Sequence, residues 1–247
     1  MNFIAKSESS KKLLNIAQMS GSLPVNILII GENGVGKKIL AQTILSDANI
    51  FDAKILEEAI LSKSVDLDQY SELIITNIDR VLNKIEFLEK LNHIKIVATS
   101  TFLPNEIETT FAIKMDIPPL KERPEDLEEL IQHYVKEAND IYEIKMDPDK
   151  LEIDLSNNGI SLKQSIFKNT FLKSMNDEDM GKAIEEFIAK KLKSSFGYKE
   201  LLGYFEIPLL KAAKKAYRSQ LQMANKLKIN RITLRKKLDT YNIDEEK

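Results

Sequence analysis

The run Gly31-Glu32-Asn33-Gly34-Val35-Gly36-Lys37-Lys38 carries the first chemistry that can be named in this chain. Closely spaced glycines let backbone N–H groups close around phosphate oxygens, and a lysine at a helix start reaches the outer phosphates. All eight residues are therefore candidates for binding a nucleotide. A second set stands near the other end: Asn230, Arg231, Thr233, Arg235 and Lys236. Asn and Arg hydrogen-bond base edges, whereas lysines neutralise phosphates without reading sequence. Residues 207–243 hold ten basic side chains and one acid, Asp239, hence +9, on a chain whose net charge is −2. A basic end on an acidic body points to a polyanionic partner, here double-stranded DNA.

Each set needs elements to hold it. Residues 25–30 form an apolar run of strand length, and 39–45 read as a helix, so the glycines sit in a strand–loop–helix setting. Residues 72–78 and 94–99 are two more candidate buried strands, alternating with helical stretches, which implies a parallel sheet covered on both faces. Residues 53–61 read as an amphipathic helix. Another helix opens at Pro124 with Glu125 and Asp126 in its first turn, and its apolar stripe is Leu127, Leu130, Ile131, Tyr134 and Val135. In the basic end, Leu221, Ala224 and Leu227 share one helical face, Ile229 marks a turn, and Asn230 N-caps a second helix that points Leu234 and Leu238 inward. Arg231 and Arg235 then project together, as in a helix-turn-helix whose second helix enters the major groove.

Composition removes several classes. The chain contains no Cys, which excludes disulfides, thiolate metal sites and a Cys nucleophile. His93 and His133 have no ligand spacing. The start lacks a signal-peptide core and no apolar run is long enough to span a bilayer, so the expected compartment is the cytoplasm, without a membrane partner. Low-complexity segments and repeats are absent; residues 175–181 are the one linker-like stretch.

Residues 3 to about 175 resemble the AAA+ domain of sigma-54-dependent transcription activators, the NtrC-like enhancer-binding proteins. The resemblance rests on the 31–37 loop and its helix, the strand end Ala98-Thr99-Ser100, and Pro118-Pro119-Leu120-Lys121-Glu122-Arg123-x-Glu125-Asp126. The stretch 206–243 resembles the Fis-type DNA-binding domain that ends such proteins. The family commonly has Gly where Lys228 stands and often Gly-Asn where Arg218-Ser219 stand. The implied fold class is α/β, a P-loop AAA+ parallel-sheet domain with a helical lid, followed by an all-α Fis-type helix-turn-helix domain. The implied divisions are 1–118, 119–176 and 177–247. The implied cofactor is ATP or ADP, with Mg²⁺ if hydrolysis is retained. A homodimer through the last domain is implied as well, formed by helices at 180–192 and 207–217.

The departures from that family matter as much. Its hydrolytic Asp–Glu pair falls on Thr76 and Asn77, neither of which is a base, and Asp79 would serve only if the strand end were remodelled. Its polar residue after the next strand matches Ser100. Its lid arginine matches Lys163, and residues 101–117, where its arginine fingers belong, contain Lys114 but no Arg. Nothing in 47–71 resembles the GAFTGA loop that contacts the sigma factor. The chain opens at the AAA+ boundary, so no receiver or sensor domain is expected. The expectation is a DNA-binding transcriptional regulator without catalytic residues, whose AAA+ part binds nucleotide or is merely structural. The alternatives are an active ATPase that remodels transcription complexes, and a modulator that co-assembles with a full-length activator or RNA polymerase.

Overall fold

Five short strands make a single parallel sheet in the order β2-β3-β4-β1-β5. They are β1 (Ile27–Ile30), β2 (Asn49–Asp52), β3 (Glu72–Thr76), β4 (Lys95–Ser100) and β5 (Ile113–Asp116). The structure, a computed structural model, describes residues 2–148 and 151–243. These fall into two units, one ending at Ser174 and the other beginning at Met175. Residues 244–247, part of the expected last domain, lie outside the described residues.

Alternation along the strands explains why both faces of the sheet are covered. Leu28, Leu73, Ile75, Ile96 and Ala98 point to one core with Ala53, Leu56, Phe87 and Leu91. Ile27, Ile29, Ile74 and Val97 point to the other with Leu13, Ala17, Leu40 and Ile44. The helices supplying those partners are α1 (Glu8–Ser20) and α2 (Lys37–Ile44) on one side, and α3 (Ala53–Leu61) and α4 (Lys84–Glu89) on the other.

The central strands match the apolar runs, but β2 and β5 do not announce themselves. β2 reads Asn-Ile-Phe-Asp and β5 Ile-Lys-Met-Asp, and both are sheet edges. A half-exposed edge strand of four residues leaves too few apolar positions to register as a run. The run at 72–78 stops as a strand at Thr76, because Asn77 adopts φ 59° and the chain turns into a 3₁₀ segment, Ile78–Arg80.

The segment expected to form the lid folds as α5 (Pro124–Tyr142) against α6 (Asn158–Ser174). They share a core of Leu120, Tyr134, Val135, Ala138, Leu162 and Ile166. Pro124 occupies the first turn of α5, where its missing N–H costs nothing. Asp126, also in that turn, is fully buried.

The second unit contains α7 (Asp177–Leu192), α8 (Tyr198–Ala216), α9 (Gln220–Leu227) and α10 (Arg231–Thr240). Of the stretch 175–181, only Met175 and Asn176 lie outside helices. Its polar composition suggests a linker, yet Asn176 caps α7 by accepting from the Asp179 N–H, and three acids fill the first turn. α8 starts at Tyr198, earlier than the expected position 207. The helix runs through Pro208. Among the described residues, no helix is long and apolar enough to cross a membrane.

Candidate nucleotide site and nucleic-acid face

The glycine loop joins the end of β1 to the start of α2. Its glycines are there because nothing else fits. Gly31 has φ 146° and a Cβ on it would lie 2.6 Å from the Ile117 carbonyl oxygen; Gly34 has φ 78° and its Cβ would lie 2.3 Å from that of Asn157. Gly36, φ 107°, is the N-cap of α2 and provides no side-chain acceptor. The first-turn N–H groups of α2 are thus left facing the loop without a side-chain cap, as anion binding requires.

Lys37 is buried and its ammonium donates to the carbonyls of Gly31 and Glu32, the latter at 2.8 Å. Burial pushes its pKa below the ordinary lysine range, while the nearby charges of Asp79 and Glu32 push back upward. The lid reaches the same loop through backbone. The Gly159 N–H donates to the Gly34 carbonyl at 3.1 Å. Asn158, at φ 48°, accepts from the Leu120 N–H at 2.7 Å and donates to the Asn33 carbonyl at 2.9 Å and to the Glu32 carboxylate at 3.0 Å. Arg123 donates to the Val35 carbonyl at 3.0 Å, and its other nitrogen faces Asp126 at 3.4 Å. Asp126 in turn accepts from the backbone of Lys6 and Ser7 and from the hydroxyls of Ser7 and Ser10.

A cavity of about 570 Å³ lies between loop, strand ends and lid. Asn33, Gly34, Gly36, Lys37 and Lys38 line it from the expected set, whereas Gly31, Glu32 and Val35 do not. Val35 lines a smaller neighbouring cavity with Phe3, Arg123 and Tyr134. The strand ends contribute Thr76, Asn77 and Thr99; the lid contributes Tyr134, Gly159, Ile160, Lys163 and Gln164. Ser100, matched in sequence to the polar residue of this edge, is instead buried with its hydroxyl donated to the Phe102 carbonyl, and Thr99 faces the cavity in its stead. Lys163 lines the cavity while ion-paired to Glu137 at 2.8 Å. Asp79 does not line it; its carboxylate accepts from the Thr101 hydroxyl at 2.9 Å and the Thr101 N–H at 3.4 Å. Asn77 donates to Asp52 at 2.8 Å. Lys114 pairs with Glu108 at 3.0 Å. Asn158, Arg123 and Tyr134, with Gly159, Ile160 and Gln164 from the start of α6, are site-forming residues that sequence reasoning missed. The Pro-Pro-Leu-Lys-Glu-Arg run signalled Arg123, but its contact with the loop needs the folded lid.

In the second unit, Ser219 caps α9 and Asn230 caps α10, its side chain accepting from the Ile232 N–H at 2.8 Å. Leu234 and Leu238 are buried with Leu210, Ala213, Met223 and Ala224. Leu221, expected inward, is 56% exposed. With α9 starting at Gln220, the buried face falls on Met223, Ala224 and partly Leu227 instead. Arg231, Thr233, Arg235 and Lys236 are exposed along α10. Asn230 is exposed too, but its oxygen serves the cap. Lys237 is drawn into an ion pair with Glu206, which also accepts from Tyr241 at 2.9 Å. That withdraws Lys237 from the exposed cations, and Glu206 itself gave no signal in the sequence.

Residues 3–62 match the model of the sigma-54 interaction domain. Among solved structures, NtrX from Brucella abortus in complex with ADP superposes with a TM-score of 0.57 at 15% identity, covering 96% of this chain and 68% of that one. The same protein in complex with ATP gives 0.51 at 14% identity, again over 96% and 68%. A third NtrX structure from that organism gives 0.52 at 14% identity, with the same coverage. No curated protein matches the chain in sequence. Parallel sheet, glycine loop and lid together give the fold of AAA+ P-loop domains, similar to the sigma-54 activators in its opening residues.

Proposed function

We propose that this chain is a DNA-binding transcriptional regulator with a nucleotide-binding AAA+ domain that turns over ATP poorly or not at all. Its parts are the α/β domain at 1–118, the lid at 119–176 and a Fis-type helix-turn-helix domain at 177–247. The observation that carries the proposal is α10: Leu234 and Leu238 are buried, while Arg231, Thr233, Arg235 and Lys236 are exposed on the same ten-residue helix. A helix that hides its leucines and offers its guanidiniums is suited to the major groove. α7 buries none of its residues and exposes Met180, Ile184 and Phe187 at helical spacing, which supports pairing of two copies through α7 and α8. Such a regulator works in the cytoplasm.

The ADP and ATP held by NtrX, together with the glycine loop and Lys37, support a nucleotide in the cavity beside Lys37. Thr76 and Asn77 line that cavity without supplying a carboxylate, which supports loss of efficient hydrolysis.

The test is binding of duplex DNA followed by fluorescence anisotropy. Arg231→Ala and Arg235→Ala should each cost about 1–3 kcal/mol. Affinity unchanged by both substitutions would refute the placement of the reading helix. A second reading, a working ATPase, would rest on Asp79, the acid just past the end of β3, whose carboxylate is held by the Thr101 hydroxyl at 2.9 Å. Sustained phosphate release from ATP that is abolished by Asp79→Asn would establish it instead.

A further inference from the structure

The position after Lys37 is where phosphate-binding loops place a Ser or Thr hydroxyl on Mg²⁺. Here it is Lys38, exposed at the start of α2 and lining the cavity. Lys163 approaches the same space from the lid, but its ammonium is already shared with Glu137. Lys38 has no ion pair among the described residues.

Mg²⁺ asks for hard oxygen donors, above all carboxylates, in octahedral geometry. Among the described residues the cavity is lined by three lysines and no carboxylate. The carboxylates beside it stand outside the lining and are engaged, Asp52 with Asn77, Glu137 with Lys163 and Asp79 with Thr101. A divalent cation placed beside the outer phosphates would meet ammonium groups, and charges of the same sign repel. The residues present do not fit Mg²⁺.

We propose that the cavity binds its nucleoside di- or triphosphate as the metal-free anion, the ammonium of Lys38 taking the charge-neutralising place of the divalent cation. This rests on the reading of the cavity as a nucleotide site. It follows that adding Mg²⁺ competes with the protein for the nucleotide rather than assisting it.

Titration calorimetry of the full chain with ATP and with ADP tests this, in EDTA and in excess Mg²⁺. The expected result is binding in EDTA at least as tight as in Mg²⁺. Lys38→Thr and Lys38→Gln should weaken binding in EDTA by about tenfold or more, and Lys38→Thr should make Mg²⁺ helpful. Thermal melts of each variant show whether the fold is kept, and the exposure of Lys38 predicts that it is. Binding that requires Mg²⁺ in the parent chain overturns the proposal and leaves the nucleotide reading standing. Undiminished binding by both Lys38 variants in EDTA overturns it as well. Absence of binding in either medium brings down the nucleotide reading, and this inference with it.

Discussion

Asp126 shows how much one side chain can organise. Burial alone would raise its pKa, but donors from Ser10, Ser7 and Lys6 outweigh burial and hold it below the ordinary carboxylate value. The carboxylate thereby fixes the start of α1 to the lid and keeps Arg123 aimed at the Val35 carbonyl. Because the folded pKa is depressed, its contribution to stability is complete above the unfolded carboxylate pKa and is lost as pH falls through the folded one. Asp126→Asn keeps the shape but leaves the Arg123 guanidinium without its partner charge, an expected loss of about 3–5 kcal/mol. Urea denaturation at neutral pH should report it. The gap to the parent should narrow under strong acid, where the native carboxylate is protonated too.

At the level of elements, the turn between α9 and α10 carries a strain that sequence comparison alone treats as a detail. Lys228 closes α9 at φ 52°, ψ 39°, where its Cβ is disfavoured and glycine is not. Lys228→Gly should stabilise the second unit by about 0.5–1 kcal/mol, read as a higher unfolding midpoint by circular dichroism. Much of the architecture was legible in the chain before folding. β1, β3 and β4 are apolar runs, the three glycines punctuate a strand–helix junction, and Asn230 with Leu234 and Leu238 marks the phase of α10. What stayed hidden depends on partners far along the chain. Edge strands β2 and β5 borrow their stability from a neighbour's backbone. Ser100 and Thr99 exchange roles because register, not composition, decides which points into the cavity. Met223 displaces Leu221 because the capping residue sets the rotation of α9.

For the molecule as a whole, charge is divided unevenly, and that division makes a quantitative prediction. The +9 of residues 207–243 belongs to a chain of net charge −2. Affinity for duplex DNA should therefore fall linearly on a log–log plot against salt, each phosphate contact adding about 0.9 to the slope. Lys236→Ala should lower that slope by about 0.9 and weaken all duplexes alike, since a lysine at a phosphate carries no sequence information. A change in sequence preference in place of a change in slope would show that Lys236 touches bases.

Lys37 brings a last consequence for rates. Its ammonium already has two acceptors, the Gly31 and Glu32 carbonyls, so an arriving phosphate does not encounter a bare charge. An ammonium has three N–H donors, so one remains for a phosphate oxygen while the two carbonyls keep theirs. A loop that takes up an anion in this way needs no rearrangement of its own chain. Association should accordingly be set by the encounter rather than by a swap of partners.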